Sequence, residues 1–84
     1  MKNRLVVFES VHQALHAEKV LEVAGVGFDL IPTPREITAS CGQSIALDAK
    51  DMEIVFKIMS QEKVVYRAIF SADSRQRIYE LLPS

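Results

Sequence analysis

Short apolar runs and amphipathic segments follow one another along this chain in the order β-α-β-β-α-β. The apolar runs are too short for helices and are rich in β-branched and bulky residues, as is typical of strands. The amphipathic segments repeat their apolar residues every three or four positions, as helices do. The predicted strands cover residues 5–8, 26–31, 43–48 and 64–70, and the predicted helices cover residues 11–24 and about 49–60.

This order leaves few folds open to a chain of 84 residues. It favours the α+β class, as a ferredoxin-like βαββαβ sandwich in which two helices cover one face of a four-stranded antiparallel sheet. A chain of this length has room for one domain. We therefore predict a single ferredoxin-like domain over residues 1–84, with a core at about 4–70 and an extra C-terminal helix at about 73–82.

Local signals mark the ends of the two main helices. Ser10 stands three residues before Gln13, which is the spacing of a capping box, and Gly25 is a natural left-handed terminator of the first helix. Asp48 can cap the second helix. The predicted buried face of the second helix consists of four apolar residues, which are Met52, Val55, Phe56 and Met59.

Two helices leave the second face of such a sheet open. Val65 and Ile69 are predicted to point to this face from the fourth strand. The last helix, which would begin near Asp73, could fold back on the same face. A homodimer through the open sheet face is the alternative way to bury it. The apolar residues of the last helix at helical spacing are Ile78, Leu81 and Leu82.

The charges and the cysteine count exclude several classes of protein. Ten Lys plus Arg against eleven Asp plus Glu give a net charge of -1, so we predict no nucleic-acid partner and no anionic membrane partner. The apolar runs are far shorter than the roughly 20 residues that span a bilayer. One cysteine and two histidines make neither an internal disulfide nor the usual zinc ligand set, so we predict no metal site. A reduced thiol and a cytoplasmic location fit this composition.

The longest irregular stretch, residues 33–42, carries the single cysteine, Cys41. A right-handed βαβ crossover makes the first two strands parallel, so this loop and the N-terminus of the first helix should share one edge of the sheet. Unpaired amides and the helix dipole make that N-terminus positive. Cys41 is therefore predicted to lie near a positive helix end.

A positive neighbour matters because only the thiolate is nucleophilic, and a free cysteine is mostly protonated at neutral pH. Arg35 in the loop and His12 on the first turn of the helix are the two residues nearby that could supply a positive charge. Gly42 allows a backbone or a substrate to approach the sulfur closely. These residues predict that Cys41 is an exposed thiol that can be activated.

Structural alternatives stay open at each of these residues. A lone cysteine is often a small buried hydrophobe, although the neighbours of Cys41 are small or polar and follow no apolar period. His12 can be a solvated first-turn residue, and its i, i+4 pair with His16 lacks the third ligand that a metal needs. Arg35 belongs either to a solvated turn or to a bidentate anion site.

Residues 5–65 resemble the family of small selenium/sulfur carrier-like proteins. The likeness is carried by the segment FESVHQALHAEKVLEVAGVGFDLIPTPREITASCGQSIAL, and its specific part runs from the PTPRE motif to the SCG motif. Gln43 and Ser44 depart from the family pattern, in which more apolar residues are expected after the glycine.

The resemblance implies a carrier role for Cys41. The residue would hold sulfur or selenium as a persulfide or selenosulfide, receive it from a donor protein and deliver it to an acceptor enzyme. No cofactor and no catalytic residue beyond the cysteine are implied. The small size of the chain also favours a carrier or a binding module over an enzyme.

Two other classes of function stay open. A small regulatory or ligand-binding module would bind an anion through the loop at residues 33–42 and the N-terminus of the first helix. A structural interaction domain would use the open sheet face instead. The predicted ligand-binding residues of the site are Arg35, Ser10, His12, Ser40 and Gly42.

Overall fold

One antiparallel sheet forms the centre of the structure. The computed structural model describes residues 2–37, 42–73 and 78–83. The described strands are β1 (Lys2–Val7), β2 (Asp29–Pro32), β3 (Gln43–Asp48), β4 (Ala68–Asp73) and β5 (Ile78–Leu81), and the helices are α1 (Val11–Ala24) and α2 (Met52–Gln61), with a 3-10 turn (Ala49–Asp51) before α2. The strands lie in the order β2-β3-β1-β4-β5, and each is antiparallel to its neighbours.

The predicted α+β class is confirmed, but the four-stranded ferredoxin-like layout with an extra C-terminal helix is wrong. The sheet has a fifth strand, and this strand stands where the sequence predicts a helix at about 73–82. β5 pairs with β4, so that Ser71 lies opposite Glu80 and Ala72 lies opposite Tyr79. An isolated helix of this length is marginal in water, whereas the edge of β4 offers a row of backbone partners.

Three other strands differ from their predicted bounds. β1 covers Lys2–Val7 instead of residues 5–8. β2 starts at Asp29 and includes Pro32. An edge strand tolerates proline because its backbone pairs with a neighbouring strand on one side only. β4 starts at Ala68 instead of residue 64 and continues to Asp73. Just before it, the Arg67 backbone N–H donates to the Val7 carbonyl at 2.8 Å. β3 has the predicted bounds.

The signals at the ends of α1 act as the sequence predicts. The Ser10 hydroxyl accepts a hydrogen bond from the Gln13 backbone N–H at 3.2 Å. The Gln13 side chain accepts from the backbone N–H of Glu9, one residue earlier than in a standard capping box. Gly25 ends the helix at a φ of 77°, in the left-handed region that glycine adopts without strain.

The turn before α2 is capped by Asp48. Its carboxylate accepts a hydrogen bond from the Lys50 backbone N–H at 3.1 Å, and this bond lowers the pKa of Asp48 below its ordinary value of 3.8.

Met52, Val55 and Met59 of α2 are buried as predicted. Phe56, also predicted to be buried, is 41% exposed, so this part of the prediction is wrong.

The main core lies between the helices and one face of the sheet. Residues of β1, β3 and β4 pack there with both helices. Ile69, which the sequence places on the open face, belongs to this core. β4 begins at Ala68, so the alternation of side chains predicted from residue 64 does not continue into the strand. Val65 precedes the strand and is exposed. The core side chains from the sheet are Val6, Ile45, Leu47 and Ile69, and Phe8, directly after β1, belongs to the same core.

The opposite face of the sheet is not bare. Leu5 and Val7 of β1 point there and are only 2% and 1% exposed. Pro34, which follows β2, lies against this face in a cavity that Leu5 also lines. The helix predicted to cover the face is replaced by β5, and the predicted homodimer through it stays a prediction.

No helix in the described ranges is both long enough and apolar enough to cross a membrane. The cytoplasmic location predicted from the composition stays a prediction.

Candidate functional site

The loop that carries Cys41 begins and ends at one edge of the sheet. β1 and β2 run in the same direction, because each is antiparallel to β3. Their C-terminal ends therefore lie at the same edge, where the chain also enters α1 through Ser10. Thr33 follows β2 directly, and Gly42 precedes β3 directly.

Hydrogen bonds close the base of this loop. The Thr33 backbone N–H donates to the Gly42 carbonyl at 2.9 Å. The Phe8 backbone N–H donates to the Gln43 carbonyl at 3.4 Å, which ties the same point to the end of β1. A Cβ atom at Gly42 would lie 3.3 Å from Thr33 Oγ1 and 3.7 Å from the Phe8 carbonyl oxygen. Glycine therefore fits a place where three segments of backbone converge.

A pair of hydroxyl groups adds a second tie between the two ends of the loop. Thr33 Oγ1 and Ser44 Oγ lie 2.6 Å apart, a hydrogen bond in which either group can donate. Ser44 is 0% exposed and is the one buried polar residue in the described part of the chain. Burying a hydroxyl without a partner is costly, so each side chain stabilises the placement of the other.

Two of the predicted site residues, Cys41 and Ser40, lie outside the described residues. Cys41 is joined by one peptide bond to Gly42, whose position beside Phe8 is described. Ser10, the cap of α1, stands two residues after Phe8. The described part of the site is thus the base of the loop and the start of the helix.

The other predicted site residues are described. The Ser10 hydroxyl serves as the helix cap. His12 is exposed on the first turn of α1. Arg35 is exposed in a turn that is closed by a hydrogen bond from the Ile37 backbone N–H to the Pro34 carbonyl, at 3.0 Å. Within the described ranges, no hydrogen bond or ion pair joins Arg35 to Ser10 or His12 at the helix start.

Two cavities were missed by the sequence reasoning. One is an open groove of about 530 Å³ between the C-terminal parts of α1 and α2, lined in part by His16, Val20 and Ile58. The other, of about 210 Å³, lies on the sheet face opposite the helices. In the described part of the chain, no three His, Cys, Asp or Glu residues are grouped as a metal site would require.

Comparison with known proteins connects the loop to a family. The model of the family described as "Putative Se/S carrier protein-like" matches residues 3–71 of the 84-residue chain. The chain belongs to this family. The match contains Cys41 and the described base of its loop, and it ends within β4, so β5 lies beyond it. No curated protein and no solved structure matches the chain.

Proposed function

We propose that the protein carries one sulfur or selenium atom on Cys41, as a persulfide or selenosulfide, between a donor protein and an acceptor enzyme. The observation that supports this most is the family match over residues 3–71, which includes Cys41, the single cysteine of the chain. The family description refers to carriers of these two elements, and a thiolate is the side chain that forms such bonds.

The transfer requires no outside oxidant. The Cys41 thiolate attacks the terminal sulfur of a persulfide on the donor, a new S–S bond forms at Cys41, and the donor cysteine leaves as a thiolate. In the second step, a thiolate of the acceptor attacks the terminal sulfur on Cys41 in the same way. Cys41 then leaves as a thiolate and is ready for another cycle.

The described base of the loop is consistent with this chemistry. Gly42 is held beside Phe8 by hydrogen bonds, and the chain enters α1 two residues after Phe8. The positive end of a helix stabilises an anion within its first turn. His12 on that turn and Arg35, two residues after the start of the loop, are exposed, so both are accessible to a partner protein.

The alternative of an anion-binding module has less support. The Ser10 hydroxyl, one of its predicted ligands, already accepts a hydrogen bond from Gln13 as the cap of α1. The exposed side chain of Arg35 is not joined to that cap by any bond within the described ranges. The carrier role therefore remains the proposed function.

The proposal predicts that Cys41 reacts readily in the folded protein. A thiol-specific probe at neutral pH should label Cys41 at least as fast in the native chain as in the chain unfolded with urea, because a positive environment raises the thiolate fraction. The measurement is the labelling rate by mass spectrometry. A Cys41→Ser variant is the control and should take up no label. A native protein that is labelled only after unfolding would contradict the proposal.

A further inference from the structure

A small trough crosses the sheet on the face opposite the helices. Its volume is about 210 Å³, and all five strands contribute residues to its lining. Leu5 of β1, Ala46 of β3 and Ala72 of β4 are three of these residues. Leu5 lies directly opposite Ala46, so the two side chains share a face. The two alanines leave space where larger side chains would fill the face.

Larger residues border this apolar floor. Tyr79 of β5 lies opposite Ala72 on one side, and Ile31 of β2 and Pro34 line the other side. Ala72 and Tyr79 lie beyond residue 71, where the family match ends. One wall of the trough is therefore built by the part of the chain that extends past the family match.

Two opposite charges lie at the trough. Lys2 Nζ is 3.8 Å from Asp29 Oδ2, and both residues line the cavity. Their side chains are 38% and 64% exposed, so the pair is solvated and a ligand can separate it at little cost. A ligand with a single charge would meet one of these groups with the wrong sign. A zwitterion matches both.

Arg4, a second cation, also lines the trough. Its guanidinium donates to the Asn3 carbonyl at 3.0 Å. The strand register places Arg4 opposite Leu47, whose side chain belongs to the core on the helix side. Lys2 is therefore the cation that lies beside Asp29 on this face of the sheet.

We infer that this trough binds a free α-amino acid with a short apolar side chain. The carboxylate of the ligand binds Lys2, its ammonium group binds Asp29, and its side chain packs on Ala46 and Ala72, above the buried Leu5. Pockets for drug-sized ligands measure roughly 300 to 1,000 Å³, so this smaller volume limits the ligand to a small metabolite. The site uses no atom of Cys41 and does not depend on the carrier role.

L-valine is a suitable probe, and two of its analogues lack one charge each. 3-methylbutanoate lacks the ammonium group, and 2-methylpropan-1-amine lacks the carboxylate. In an NMR titration of the full chain, L-valine should shift the signals of Leu5, Ala46 and Ala72 in a saturable way. Both analogues should bind at least about fivefold more weakly, since each lacks one of the two partly exposed ion pairs, with Lys2 or with Asp29.

Variants of the trough provide the matched test. Lys2→Gln and Asp29→Asn change exposed side chains, so both variants should fold, and each should weaken L-valine binding about fivefold. Ala72→Leu should fill the trough and remove the saturable shifts. Lys57→Gln removes an exposed lysine of α2, away from the trough, and should leave binding unchanged.

Three results would overturn the inference. They are the absence of saturable shifts with L-valine, equal binding of either analogue, and an equal loss of binding in Lys57→Gln and Lys2→Gln. Since Cys41→Ser should bind L-valine as the parent does, failure here is distinguishable from failure of the carrier role.

Discussion

A Leu21→Ala variant is expected to lower the free energy of unfolding by about 3 kcal/mol. Leu21 is 1% exposed and packs in the core between α1 and the sheet. The substitution removes apolar contacts and leaves a cavity that the surrounding side chains fill only in part. A small domain has only about 5 to 15 kcal/mol of stability in total, so the loss is a large fraction of it.

Leu15 provides the matched control on the same helix. Its side chain is 51% exposed, so a Leu15→Ala variant should change the free energy of unfolding by less than about 0.5 kcal/mol. Urea denaturation followed by circular dichroism measures both values. Equal losses of unfolding free energy at the two positions would mean that α1 does not pack against the sheet through the face that carries Leu21.

Removing the hydroxyl group of Ser44 should have the next largest effect. Ser44→Ala leaves Thr33 Oγ1 without the partner that now lies at 2.6 Å, in a place where Ser44 is fully buried. The expected cost is about 2 kcal/mol of unfolding free energy. Ser60→Ala, at an exposed position near the end of α2, is the control and should cost little.

A double-mutant cycle isolates this hydroxyl pair. Thr33→Val removes the other hydroxyl, and the double variant leaves no unpaired group. The sum of the two single losses of unfolding free energy should therefore exceed the loss in the double variant by about 1 kcal/mol. Because the pair ties both ends of the loop, the labelling rate of Cys41 should also change in the single variants. Strictly additive losses would show that the two hydroxyls do not stabilise one another.

The elements with strong local signals could be predicted from the sequence. α1 has its predicted bounds because Ser10 caps it and Gly25 adopts the left-handed conformation that ends it. β3 also has its predicted bounds, since its apolar residues alternate with polar or small ones. In both elements, the signal lies within the segment itself and does not depend on distant partners.

β5 could not be predicted in this way. Ile78, Leu81 and Leu82 have helical spacing, and the local sequence favours a helix. The strand forms because the edge of β4 pairs with it, and such a pairing is invisible in a local pattern. Phe56 shows a related limit, since three apolar residues in a row, Ile54 to Phe56, do not indicate which of them points inward.

The site shows the same division. The loop and its cysteine stand out from the sequence because the neighbours of Cys41 are small and polar. The contact between Thr33 and Ser44 cannot be read from the sequence. The two residues are eleven positions apart and meet only through the pairing of β2 with β3. The sequence interpretation expects a more apolar residue than Ser44 after the glycine, whereas the structure buries Ser44 and pairs its hydroxyl with that of Thr33.

The most direct test of the carrier role is the intact mass of the protein after incubation with a cysteine desulfurase and L-cysteine. We expect a species heavier by one sulfur atom, which disappears on treatment with a thiol reductant and is absent from the Cys41→Ser variant. An unchanged mass of the parent chain, or an equal gain in the Cys41→Ser variant, would contradict the assignment of Cys41 as the carrier.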